Sequence, residues 1–194
     1  SATNPAAGPF IYNPDRDAYK NTHALVKLTQ TLWQGEVISL TAWQSRGKTH
    51  FDDGEFPGLV PTNKQTLTGY QLTTENNFSP EWKSRLVVGQ TTDDSVISSA
   101  FGGTFKTVQD QASWLNEFRT PTGYMNAGIE WRSEKLSADT SYVVRKRDTT
   151  SIFAGYVEKL GPAQLEFTLR RDEEEQFGRR NTGSVSYGYA LTPG

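Results

Sequence analysis

The chain has 194 residues, a formal net charge of −2, 35% hydrophobic residues and no cysteine. That length allows one large domain or the wall of a barrel, the charge leaves no nucleic-acid footprint, and the absence of Cys excludes disulfides and thiolate metal sites. No apolar run approaches the ~18 residues of a transmembrane helix, which excludes a helical membrane protein but not a β-barrel, whose strands need only alternate residues apolar.

Residues 1–22 are rich in Pro, Asn, Asp and Gly, show no periodicity and read as a loop or arm. The first predicted strand is Ala24–Leu32, with Ala24, Val26, Leu28 and Leu32 on one face. A Gln34-Gly35 turn leads to the second, Val37–Arg46, where Ile38, Leu40 and Ala42 oppose Ser39, Thr41 and Trp43. A long polar connector, Gly47–Asn63, precedes a Thr-rich third strand, Gln65–Asn76. The short Phe78-Ser79-Pro80 turn leads to Trp82–Gln90, and a second long connector, Thr91–Thr104, leads to Phe105–Phe118. Tyr124–Ser133 follows a short turn and alternates strictly: Met125, Ala127, Ile129 and Trp131 against Tyr124, Asn126, Gly128, Glu130 and Arg132. Beyond a third long connector, Glu134–Asp148, with extended ends at Tyr142–Arg145, the remaining strands are Ser151–Lys159, Ala163–Arg171 and Asn181–Leu191. The last two are separated by a charged connector, Asp172–Arg180.

The connectors thus alternate short and long throughout, as the short periplasmic turns and longer outer loops of an outer-membrane barrel do. Trp33, Trp82 and Tyr124 stand beside short turns, where an aromatic girdle is expected. The predicted fold class is all-β: an antiparallel up-and-down meander of about nine strands over residues 23–194, a partial segment of a large transmembrane β-barrel. The plainer alternative is a soluble meander with long hairpins. Nine strands with no closing partner predict a share in a larger barrel. Ser1, with neither Met nor signal peptide before it, suits a mature or excised segment.

Two acidic clusters are candidates for chemistry. Asp15 and Asp17 lie in the arm and Asp52 and Asp53 in the first long connector, which an up-and-down topology brings to one rim. Converging carboxylates on loops suit Ca²⁺, which takes 6–8 oxygens; the same Asn-Pro-Asp and Asp-Asp-Gly patterns are also ordinary turn chemistry. Gln109, Gln111, Glu130, Arg132, Glu166 and Arg170 fall on the polar face by alternation, as a lumen lining or a solvated surface would. The runs Arg145-Lys146-Arg147 and Asp172–Glu175 read as solvated loop charge, the basic one suited to lipopolysaccharide phosphates. Catalysis finds little support. The two histidines are His23 and His50, and a hydrolase would need His50 with Asp52 or Asp53 and a nucleophile; no such motif or phosphate loop is visible, so the reading is non-enzymatic.

Several pieces in consistent order resemble the TonB-dependent outer-membrane transporters, most of all the cobalamin (vitamin B12) branch. They are Asn13-Pro14-Asp15-Arg16-Asp17-Ala18-Tyr19, the hairpin around Trp33-Gln34-Gly35, Lys48-Thr49-His50-Phe51-Asp52-Asp53-Gly54, and Arg170-Arg171-Asp172 to Gln176-Phe177-Gly178-Arg179 before a Tyr-Gly-Tyr strand. The resemblance implies a plugged barrel of which this chain matches early and middle strands, without the plug and its TonB contact. It implies an outer-membrane location, capture of cobalamin or a related corrinoid at the outer loops, and contact with membrane lipid. It implies calcium held by Asp15, Asp17 and Asp52, with Asn63 standing where a further acidic ligand is expected. Phe51, Phe56, Phe101 and Tyr142 would be loop aromatics available to a corrin-sized ligand or to one another. Substrate contacts are not specified by it. Siderophore uptake and a non-transporting β-rich surface domain are the alternatives.

Overall fold

The structure, a computed structural model, describes residues 18–51, 60–99 and 102–191. Nine strands follow one another: β1 (Tyr19–Trp33), β2 (Glu36–His50), β3 (Thr62–Asn77), β4 (Trp82–Ser98), β5 (Gly103–Arg119), β6 (Gly123–Ala138), β7 (Lys146–Leu160), β8 (Ala163–Glu174) and β9 (Gly178–Tyr189). Each pairs antiparallel with its sequence neighbours in one sheet of order β1 to β9, and the sheet does not close. No described residue is helical. The predicted all-β up-and-down meander is therefore the observed one.

The sheet has a single layer and almost no core. The buried hydrophobic set among the described residues reduces to Val157, while Leu28, Leu40, Leu86, Trp114, Ile129, Ile152 and Val185 are all exposed. These exposed residues share one face because side-chain direction alternates along each strand. The register aligns them into rows across the sheet. Ile38, Thr74, Leu86, Trp114, Ile129 and Ile152 form one row. Trp82, Phe118, Met125, Tyr156, Phe167 and Val185 form another beside the short turns. Trp82 stacks on Phe118 there, with centroids 5.6 Å apart, and Phe78 meets Trp82 at a tilt with centroids 4.5 Å apart. Polar side chains on this apolar face are paired beneath rings: Trp114 Nε1 donates to Ser84 Oγ at 2.8 Å, and Trp82 Nε1 to Asn116 Oδ1 at 3.1 Å. Such pairing satisfies the indole N–H groups and the hydroxyl and amide that the rings cover.

The strand ends differ from expectation. Tyr19–Thr22, expected in the arm, begin β1. Much of each expected long connector is strand: Gly47–His50, Thr91–Ser98, Glu134–Ala138, Lys146–Asp148, Asp172–Glu174 and Gly178–Arg180 all continue the ladders. Tyr142–Arg145 lie outside the strands. Residues 175–177 are all that separate β8 from β9, no more than the 120–122 turn, so the strict short–long rhythm does not hold there. The cause is polarity on both faces of these extensions, which hides the apolar alternation without weakening backbone pairing. Tyr124 also departs from the expected girdle: it is opposite Arg119 and Val157 on the polar face, and Trp33 and Trp82 remain on the apolar one.

Glycines open the way for bulky side chains on the polar face. Gly128 is opposite Phe153, and a Cβ added there would meet the ring at 2.6 Å and the Trp114 carbonyl at 2.8 Å. In the β1–β2 turn Gly35 adopts φ +89, a region that favours glycine. Gly128→Val should therefore lower stability by about 1–3 kcal/mol in urea titrations followed by Trp fluorescence. Gly188→Ala, with open space around it, should stay within about 0.5 kcal/mol of the parent.

Candidate functional site

The polar face carries a cross-strand charge cluster at the end of the sheet away from the short turns. Glu130 of β6, Ser151 of β7, Asp172 of β8 and Arg180 of β9 occupy one register row, and Gln111, Arg132, Thr149 and Glu174 the next. Arg170 links the strands. Its Nη2 donates to Glu130 Oε2 at 2.7 Å and its Nε to Asp172 Oδ1 at 2.9 Å, and its guanidinium carbon lies 5.7 Å from the centre of the Phe153 ring. The room left by Gly128 lets that ring lie between strands, so the backbone choice on β6 helps position the arginine on β8. Ser151, almost fully buried, donates to the same Asp172 oxygen at 2.6 Å. Higher up, Arg147 donates to Glu134 through Nε at 2.8 Å and lies 3.6 Å from Glu174.

The cluster borders a concavity of about 820 Å³ that also touches Gln111, Arg132, Phe177 and Arg179. Charges of both signs face each other while partly exposed, Glu134 at 22% being the most covered, so each pair contributes little alone; the network chiefly fixes side-chain directions. A face of this kind presents a defined polar surface. Of the residues expected on the polar face, Glu130 and Arg170 are brought into direct contact, and Gln111 and Arg132 pair in register beside them. Gln109 Nε2 donates to Gln111 Oε1 at 3.4 Å, and Glu166 sits lower, opposite Val157.

Sequence reasoning missed Glu134, Arg147, Ser151, Asp172 and Glu174 in this role. Arg147 and Asp172–Glu174 were expected as solvated loop charge and are instead strand residues in an ion-paired network. The available signal was parity: the polar positions 130, 132 and 134, and 170, 172 and 174, continue the period of the strands below them.

Of the calcium candidates, Asp15, Asp17 and Asp52 lie outside the described residues, as do Asp53, Phe56 and Phe101. Asn63 is the second residue of β3; its Oδ1 accepts from Ser95 Oγ at 2.9 Å and retains a second lone pair. Nearby described residues meet at this rim: the His50 amide donates to the Ala18 carbonyl at 2.9 Å, and His50 is opposite Thr62. Among the described residues no group of three or more His, Asp or Glu side chains suits a metal ion.

A one-layer, open antiparallel meander with an exposed apolar band on one face and an ion-paired polar lining on the other is consistent with a partial β-barrel, and no helix among the described residues is long and apolar enough to cross a membrane. The chain is similar to the barrel of TonB-dependent transporters of the vitamin B12 branch. The vitamin B12 transporter BtuB of Photobacterium profundum is 22% identical over 188 residues, covering 93% of this chain and 30% of that protein. The chain thus spans about 30% of the length of this relative. No family model matches the chain.

The network makes an ordered prediction. Ser151→Ala removes one buried hydrogen bond and should cost about 1 kcal/mol. Arg170→Met leaves Glu130 and Asp172 without their shared cation and should cost more, about 1–3 kcal/mol after allowing for solvent screening. Urea unfolding of both variants in the same micelle checks the order.

Proposed function

We propose that this chain belongs to the barrel wall of an outer-membrane transporter for cobalamin or a related corrinoid. The observation that carries the reading is the single-layer sheet whose apolar rows stand exposed on one face while ion pairs line the other. Such a sheet needs lipid outside and a polar filling inside, since it has no second layer to bury its apolar face. Similarity to a protein named as a vitamin B12 transporter supports the substrate class. The wall's part is to hold a lumen and to order the outer rim; transport itself rests on a plug driven by the TonB system, whose two states must differ in affinity for the substrate for it to be released.

Calcium is part of the proposal. Asp15, Asp17 and Asp52 would supply hard carboxylate oxygens and Asn63 a neutral one, and the bound ion would order the outer rim. The proposal is tested by equilibrium binding of cyanocobalamin to the detergent-solubilised full-length protein, with calcium and with chelator. Tight binding that weakens with chelator, and in Asp52→Ala, is the expected result. Binding indifferent to calcium overturns the metal site and leaves the substrate. No binding overturns the corrinoid and turns the search to siderophores.

The membrane face has its own test. Ile129 lies mid-row on the apolar face. Ile129→Lys should destabilise by about 2–4 kcal/mol in lipid vesicles if that face meets hydrocarbon. On a water-exposed surface the same change stays within about 0.5 kcal/mol.

A further inference from the structure

The polar-face cluster is balanced in formal charge but not in hydrogen bonds. Arg132, Arg147, Arg170 and Arg180 share that face with Glu130, Glu134, Asp172 and Glu174. Two of the arginines hold all four acids. Arg147 pairs with Glu134 and Glu174, and Arg170 with Glu130 and Asp172. Arg179, on the other face, pairs with Glu173 at 3.1 Å. Arg132 and Arg180 are left over. Glu130 and Glu134 flank Arg132 on its own strand, and Asp172 is opposite Arg180, but other guanidinium groups engage these acids. Asp172 Oδ1 also accepts from Ser151. Among the described residues, neither Arg132 nor Arg180 donates a hydrogen bond or lies within ion-pair distance of a carboxylate.

Both border the same concavity of about 820 Å³, a size common for small-molecule pockets. They stand on β6 and β9, three strands apart, so at ~4.8 Å per strand their backbones lie about 14 Å from each other. Two extended arginine side chains meet a common group from that separation. The strand neighbours of Arg132 are neutral hydrogen-bonding residues, Gln111 and Thr149. Phe177, 78% exposed, adds a ring to the same concavity.

Resting on the corrinoid reading, we infer that Arg132 and Arg180 form a subsite for the phosphodiester of a complete, nucleotide-bearing corrinoid. The periphery of such a molecule is a ring of neutral amides, matched by Gln111 and Thr149, and the phosphodiester is its anionic side group. A guanidinium stays charged and presents a planar fork of donors that fits two phosphate oxygens at once. Because Arg147 and Arg170 are already engaged, the two open forks fix where the anion sits. The subsite therefore selects corrinoids that carry the nucleotide loop over those that lack it.

The test uses the full-length protein in detergent micelles and measures equilibrium binding of two probes. Cyanocobalamin carries the phosphodiester; dicyanocobinamide has the same corrin ring without it. The parent should prefer cyanocobalamin. The double variant Arg132→Gln, Arg180→Gln should bind cyanocobalamin about tenfold more weakly and leave dicyanocobinamide within about twofold of the parent. Each single variant should lose about threefold for cyanocobalamin alone, which keeps the test open if the double variant does not fold. Lys27→Gln, in the register row of Arg132 but on β1, should change neither affinity. Unchanged cyanocobalamin binding in the double variant overturns the subsite and leaves the corrinoid reading standing. Equal weakening for both probes also overturns it, since the arginines would then support the wall rather than meet the phosphodiester. A parent that binds neither probe overturns the corrinoid reading and the subsite together.

Discussion

Everything in this sheet depends on uninterrupted strand pairing. A protein with a core can tolerate a local slip because neighbouring layers hold the element in place. Here each strand is held edgewise by its neighbours, and the two faces meet unlike surroundings. Moving one strand by a single residue would turn Ile129 and Trp131 to the polar side and Glu130 and Arg132 to the apolar side. The register is therefore specified by the cost of the wrong environment rather than by fitted packing. Within the apolar rows, Ser84 and Asn116 are tolerated because indole N–H groups of Trp114 and Trp82 engage them.

The polar face follows a different logic. Arg170, Glu130, Asp172 and Ser151 come from three adjacent strands, so the network ties β6, β7 and β8 laterally as the backbone ladder does. Its side chains remain partly solvated, which keeps the desolvation cost low and the energetic return modest. What such a network supplies is direction. Phe153 lies over Gly128 and beneath the guanidinium, leaving Arg170 little freedom to swing away.

The lower halves of the strands were legible in the sequence because one face had to be apolar. Met125, Ala127, Ile129 and Trp131 announce β6 without help from any other residue. The upper halves carry Thr, Asp, Gln and Lys on both faces, so Thr91–Ser98 and Asp172–Glu174 looked like loops. Only the partner strand reveals them, since Asp93 and Asp94 are held by pairing with Thr107 and Lys106. The charge network was half legible for the same reason: Glu130 and Arg170 sat in recognisable strands, and Ser151, Asp172 and Arg147 needed the three-dimensional register. The aspartates of the arm and first connector fall outside the described residues, and Asn63 alone gives no view of how they would converge.

The β8–β9 ribbon stays hydrogen-bonded up to Glu174 and Gly178, with residues 175–177 closing it. From Leu169 to Glu174 it runs five more positions, roughly 16 Å along the strand. A ladder intact to its tip has no pivot short of breaking ladder bonds. This end of the ribbon is therefore a fixed sill rather than a moving flap.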